Sequence, residues 1–253
     1  KMHRFMLKLF AHGPVESYRQ QHIRPVLEFL IERLLKQDNV DLAADFTDQF
    51  AARVISSLFG MPWRDDALMA RQRELGQIVF DWVGAVDRSP AGTAQAIDAS
   101  RKLNEVLLPY VRQRRDNPGD DLISRVWAEG PKALDDMREE DVLVTCRELY
   151  FAGSDTTSHA LSNAIHMLLT DEAARGAITA DRGAALDNFV EEALRLYGSV
   201  QYRFRLTNQE IEVGGIVMPK DTLLVPINSA APMHERGRKC AMPSTRCWTA
   251  CQT

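Results

Sequence analysis

Long apolar runs are missing from this chain. None approaches the roughly 18 to 20 residues that a helical membrane span needs, and the opening Lys1-Met2-His3-Arg4 is followed by a short apolar stretch interrupted by Lys8 and His12, which is not a secretory leader pattern. The expected location is therefore cytoplasmic, with no membrane partner. Basic blocks are missing too. The net charge is −4 and no Lys/Arg-rich segment reverses it locally, which argues against a nucleic-acid face. No Gly-rich dinucleotide fingerprint, internal repeat or low-complexity tract is present. Cysteine is scarce in the body of the chain: Cys146 lies alone near the middle, and Cys240, Cys247 and Cys251 all fall in the last fourteen residues. That distribution excludes a disulfide framework and leaves Cys146 as a small buried hydrophobe.

What is present is helix. With 26% of its 253 residues charged and 45% hydrophobic, the chain suits one soluble domain, or two small ones, with a sizeable core. The longest helical pattern runs from about Asp136 to Thr170. Asp136 can cap its start, with Glu139 three residues on completing a capping box. Val142, Cys146, Leu149, Gly153, Ala160, Ala164 and Leu168 recur at helical spacing, and Leu143, Tyr150, Leu161 and Ile165 widen the apolar arc, so the helix is expected to be buried on most sides. At about 1.5 Å per residue it spans roughly 50 Å.

Phe151-Ala152-Gly153-Ser154-Asp155-Thr156-Thr157 breaks this pattern at its centre. Gly costs about 1 kcal/mol against Ala in a helix interior. Ser and Thr hydroxyls can bond back to earlier carbonyls and bend the helix, and a buried carboxylate needs a partner or water. One reading is a close helix crossing at Gly153 with satisfied polar groups. The other is a functional site, where local rules are commonly broken.

Around this helix the order is simple. Residues 1 to 11 read as a helix already under way at its first residue. Pro14 to Lys36, Leu42 to Phe59, Asp65 to Val86 and Thr93 to Arg115 read as amphipathic helices, and Asp121 to Ala128 as a short one. A new helix starts at Asp171, and Gly183 to Tyr197 carries Glu192 and Arg195 at i,i+3, on one face. From Tyr202 the period becomes alternating: Gln209 to Val213 and Ile216 to Met218 flank a Gly214-Gly215 turn, and Thr222 to Ile227 is a further strand. The fold class is mainly α with a small β region, an α+β arrangement.

Three motifs in order carry a resemblance. Ala152-Gly153-x-Asp155-Thr156-Thr157 is similar to the oxygen-activation motif in the central helix of cytochrome P450 enzymes. Glu192-Ala193-Leu194-Arg195 resembles that family's Glu-x-x-Arg helix. Arg205 stands in the place of its haem-propionate arginine, nine residues before Gly214-Gly215. The likeness runs from residue 1 to about Ala231, as a partial domain of the soluble bacterial type. It implies a haem-thiolate monooxygenase acting with O2 on a small hydrophobic organic substrate, supplied with electrons by a separate ferredoxin or flavin reductase. Asp155 and Thr156 are then the catalytic proton-delivery pair, with Ala152 and Gly153 beside the haem and Gly153 leaving room for oxygen. Arg205 and His3 meet the propionates. The family's arginine four residues after that His is here Leu7. Glu192 and Arg195 become a buried structural pair rather than an exposed one contributing about 0 to 1 kcal/mol.

The likeness stops before the family's ligand loop, Phe-x-x-Gly-x-x-x-Cys-x-Gly, whose thiolate binds the haem iron. None of the three late cysteines has the preceding Phe and Gly. Residues 232–253 read as an out-of-frame, mis-spliced or disordered tail; a zinc-type set of His234, Cys240, Cys247 and Cys251 is a further reading, without the short Cys-x-x-Cys pair that gives such sites their specificity. For this polypeptide the alternative function is a non-catalytic helical protein that binds a small hydrophobic ligand or a partner.

Overall fold

The computed structural model describes residues 2–10, 12–85, 88–134 and 137–227. The chain divides into two units, Lys1–Ser158 and His159–Thr253. His234, Cys240, Cys247 and Cys251, and with them the expectations for residues 232–253, lie outside the described residues, as does the expected cap Asp136.

The first unit is helical throughout. Its elements are α1 (Met2–Leu9), α2 (His12–Tyr18), α3 (Arg24–Leu34), α4 (Asp48–Leu58), α5 (Asp66–Gly84), α6 (Pro90–Asp116), α7 (Leu122–Ala133) and the part of α8 (Glu139–Thr170) that runs through Ser158. Short polar side chains start several of them. Asp65 accepts from the Ala67 and Leu68 amides at 3.0 Å, Ser89 from Gly92 at 3.1 Å and Asp121 from Ser124 at 2.8 Å, each satisfying donors that a first turn leaves open.

Three segments depart from the sequence reading. The helix expected over Pro14 to Lys36 is α2 and α3 joined through a π-helical turn, Arg19–Ile23, which sets His22 against the Ser57 hydroxyl at 3.0 Å. A second π turn, Leu42–Thr47, precedes α4 and is capped by Asp41. Such turns carry the same residues as an α-helix and leave no period of their own. α7 runs to Ala133 with Pro131 inside its last turn, past the expected end at Ala128; Leu122, Ile123 and Val126, all fully buried, anchor it. At the start of α8 a carboxylate does reach back three residues, but it is Asp141 Oδ2 accepting from the Arg138 amide at 2.8 Å. Glu139 is held instead by Arg112 and Arg115.

The core gathers Phe5 and Leu9 of α1, Ile55, Leu58 and Phe59 at the end of α4, Leu75 and Val79 of α5, Leu103, Leu107 and Val111 of α6, and Val142, Cys146, Leu149 and Tyr150 of α8. Gly153 lets α8 lie close to α4. A Cβ placed there would sit 3.3 Å from Ile55 Cδ1, tighter than ordinary packing.

In the second unit, the rest of α8 packs with α9 (Glu172–Ala180) and α10 (Ala184–Tyr197) around Met167, Ala174, Phe189 and Ala193. Asp171 caps α9 by accepting from the Ala174 amide at 2.9 Å. The expected hairpin is present, shorter, as β2 (Ile211–Val213) antiparallel to β3 (Ile216–Met218). Gly214 and Gly215 take φ of 59° and 78°, the paired positive values of a type I′ turn. β1 (Arg205–Leu206) pairs antiparallel with β4 (Leu223–Leu224), and a single bridge joins Tyr202 to Ile227, so the strand expected over Thr222 to Ile227 is paired only in part. Thr207 ties this region: its hydroxyl donates to the Pro219 carbonyl at 2.7 Å and accepts from the Thr222 amide at 2.8 Å.

The crossing at Gly153 yields a test. Gly153→Ala exchanges a helix-propensity gain of about 1 kcal/mol for a contact that Ile55 can relieve by a small shift, and urea unfolding should place it within about 1 kcal/mol of wild type. Gly153→Leu should cost about 1–3 kcal/mol by overpacking, and pairing it with Ile55→Ala should recover a measurable part of that loss.

Candidate functional site

The residues of the α8 motif divide by direction, because successive side chains on a helix turn by about 100°. Ala152 is exposed and Thr156, one turn on, is half-buried on the same side; Thr157 and His159 are also exposed. Ser154, Asp155 and Ser158 are buried. α8 is therefore covered closely on the α4 and α5 sides and open on the Ala152 side among the described residues, which corrects the expectation of burial on most sides. The apolar arc stops short of Ala152, and the exposed Glu148 and His159 flank it one turn before and two turns after on that side.

Thr156 donates its hydroxyl proton to the Ala152 carbonyl, Oγ1 to O 2.5 Å. The bond removes a lone pair from the helix ladder, as such back-bonds do, and leaves Thr156 Oγ1 as an acceptor on the open side. Ser154 makes the equivalent bond to the Tyr150 carbonyl at 2.9 Å, on the buried side.

Asp155 is 7% exposed and turned toward α5. A methyl placed on Gly76 would lie 3.8 Å from Asp155 Oδ2 and 3.9 Å from the Phe151 ring. The neighbourhood is polar and was not legible in the sequence. Gln72, fully buried in the middle of α5, accepts through Oε1 from the Tyr150 hydroxyl at 3.3 Å and the Ser56 hydroxyl at 3.2 Å. Asp48 at the head of α4 accepts from the Ser158 hydroxyl at 2.5 Å and pairs with Arg73 of α5 at 3.8 Å. Burial pushes the Tyr150 phenol up; the Ser56 hydrogen bond acts against that, the Asp155 carboxylate adds to it, and Arg73 opposes it. Tyr150 is therefore a neutral donor at any ordinary pH.

Gly153 fits the first of its two readings, a close helix crossing. Its Cβ position points at Ile55 rather than toward the Ala152 side, so the space it leaves is taken by α4. Cys146, the one cysteine among the described residues, is fully buried among core side chains, and its thiol is pushed up to about 12 by burial first and the Asp121 charge second. It stays protonated and cannot serve as a thiolate ligand. Among the described residues no group of three or more His, Cys, Asp and Glu could hold a metal ion.

The remaining candidates lie elsewhere. Arg195 and Glu192 form a two-pronged pair, Nε to Oε2 at 2.8 Å and Nη2 to Oε1 at 2.5 Å. Glu192 is 2% exposed and the Arg195 side chain 19%, so the carboxylate is buried and the guanidinium half-buried. Arg205, on β1, is exposed and donates to the Phe204 carbonyl at 2.8 Å. His3 lies in α1, four residues before Leu7, which is 60% exposed.

The pair predicts its own mutational signature. Arg195→Ala strands a desolvated carboxylate and should destabilise by about 2–3 kcal/mol. Denaturant titration should find that adding Glu192→Gln recovers a measurable part of the loss, since the stranded group is then neutral.

The sequence model of the cytochrome P450 family matches residues 1–181. Among curated relatives, pulcherriminic acid synthase of Bacillus subtilis is 28% identical over 83% of this chain and 52% of its own length. Cyclomarin C epoxidase CymV of Salinispora arenicola is 30% identical over 77% and 48%. The crystal structure of CYP109E1 from Bacillus megaterium in complex with testosterone aligns with a TM-score of 0.74 and 20% identity, over 90% of this chain and 59% of that one; the crystal structure of CalO2 aligns with a TM-score of 0.76 and 20% identity, over 90% and 56%. The chain spans about half the length of the curated relatives that it matches. With the family model matched over well more than half of its residues, the chain belongs to the cytochrome P450 family.

Proposed function

We propose that this chain supplies the oxygen-side helix and the structural Glu-x-x-Arg helix of a haem-thiolate monooxygenase, which inserts one oxygen atom of O2 into a small hydrophobic organic substrate. The observation that carries the reading is the division of the α8 motif: a hydroxyl and a small residue on an open face, with a buried carboxylate on the residue just before the hydroxyl. Haem, when bound, supplies the activation of dioxygen. In the first unit Ala152 would offer it a small surface and Thr156 an acceptor oxygen; Arg205 and His3 are carried over from the resemblance alone as the groups that would meet the propionates. Cys146, the one cysteine among the described residues, is closed into the core and would not hold the haem iron.

The chain's own part of the chemistry follows from two atoms. With its proton given to Ala152, Thr156 Oγ1 accepts from a water and fixes that water on the open face. Asp155, the residue just before it, is the acid that resupplies protons from the α4–α5 side. Gly153 contributes through the helix crossing, which sets the height of α8. Electrons come from a separate ferredoxin or flavin reductase. No helix among the described residues is long and apolar enough to cross a membrane, and a cytoplasmic setting is proposed with the activity.

Two measurements test this reading. Haemin titrated into the 253-residue chain should give a saturating Soret change that Arg205→Ala weakens by about tenfold, the worth of one charge-assisted hydrogen bond; a chain that takes up no haem leaves the non-catalytic ligand-binding alternative in its place. With reductant and oxygen, Asp155→Asn should lower product formation by about 10²-fold or more, whereas Thr156→Val should keep haem binding and divert electrons to peroxide.

A further inference from the structure

A second concave surface lies in the first unit, away from the Ala152 side of α8. The end of α5, the first half of α6 and Arg147 of α8 enclose a groove of about 490 Å³, within the roughly 300–1,000 Å³ of small-molecule sites. Arg147 stands about 140° round the helix from Ala152 and about 180° from Thr156, so this groove is not the face assigned to haem and oxygen.

Its two ends differ in chemistry. One is walled by Val79, Trp82, Ala96 and Ile97. The Trp82 ring is fixed there, its Nε1 donating to Thr93 Oγ1 at 3.1 Å and the Arg88 guanidinium lying 4.3 Å from its centroid. Ile97 is 65% exposed despite lining the groove. The other end holds Asn104, Arg101 and Arg147, and among the described residues that line the groove the two ionisable groups are arginines and none is a carboxylate. Arg101 is committed to Asp98 and Glu105 on its own helix. Arg147 is not committed in the same way. Its side chain is 19% exposed, and its bonds to Asn104 Oδ1 and Glu148 Oε1 are both 3.3 Å, longer than the roughly 2.7–2.9 Å of a strong charge-assisted bond. A guanidinium has five donors in a planar fork, so a desolvated acceptor can improve on both contacts.

We propose that this groove binds an amphiphile with an apolar body and a single carboxylate, the body against Trp82 and Ile97 and the carboxylate on Arg147. The site is additional to the proposed monooxygenase centre and does not depend on it.

Isothermal titration of the 253-residue chain with decanoate, and separately with decanol, tests the proposal. Decanoate should saturate one site and bind at least about tenfold more tightly than decanol, since a hydrogen bond to a charged group is worth about that factor. Arg147→Gln should bring decanoate to the affinity of decanol and leave decanol unchanged, and Arg147→Lys should restore part of the difference. Ile97→Trp, on the exposed side of α6, should fill the groove and abolish binding of both at an unchanged melting temperature. Equal affinities for decanoate and decanol, decanoate binding indifferent to Arg147→Gln, or no saturable binding by the wild-type chain would each overturn it. None of these readouts involves haem, so they stand apart from the monooxygenase tests.

Discussion

The contact between Gly153 and Ile55 sets the terms for the rest of the first unit. At that point a Cβ on α8 would sit 3.3 Å from Ile55 Cδ1 of α4, so the crossing leaves little room for a side chain. Everything around it follows in register. Asp155 falls toward α5, Tyr150 reaches the buried Gln72, and Ser158 meets Asp48 at the head of α4. A helix held farther away would leave Gln72 and Tyr150 desolvated without each other, a cost on the order of 1–3 kcal/mol for each unmatched group. The apolar core and the polar layer therefore depend on the same approach distance.

The polar layer also specifies which way α8 faces. An apolar helix can rotate a little in an apolar seat at small cost, whereas hydrogen-bonded groups tolerate far less. Tyr150, Ser154 and Ser158 lie within two turns and are each satisfied, by Gln72, a backbone carbonyl and Asp48 respectively. Rotation of α8 would break the Tyr150–Gln72 and Ser158–Asp48 bonds together, while the Ser154 bond, internal to α8, would turn with it. Ala152 and Thr156 are open because the other sides of the helix are committed.

Much of this was legible in the sequence, and the parts that were not share a cause. The long helix, the caps at Asp171 and Asp121, the Gly214-Gly215 turn and the Glu192–Arg195 pair rest on neighbours within a few residues, where spacing decides contact. The Gln72–Tyr150 and Asp48–Ser158 bonds join residues 78 and 110 apart, and no local pattern announces them. A lone Gln on an apolar face of α5 was the available hint. Asp141 could not be told from Glu139 as the reaching-back carboxylate, because both lie within the first turn and the choice rests on Arg112 and Arg115 holding Glu139 from another helix. The direction of Gly153 depended likewise on where α4 lies.

The back-bond from Thr156 to Ala152 carries one more consequence. It keeps the threonine on the open face without using any contact that holds the helix in place. The side chains that seat α8 occupy one arc of its circumference and those it presents occupy another, so substitutions on the presenting arc are nearly silent in folding. Such a helix can drift in what it offers to chemistry across descendants while its seat stays the same, and selection can act on the two arcs separately.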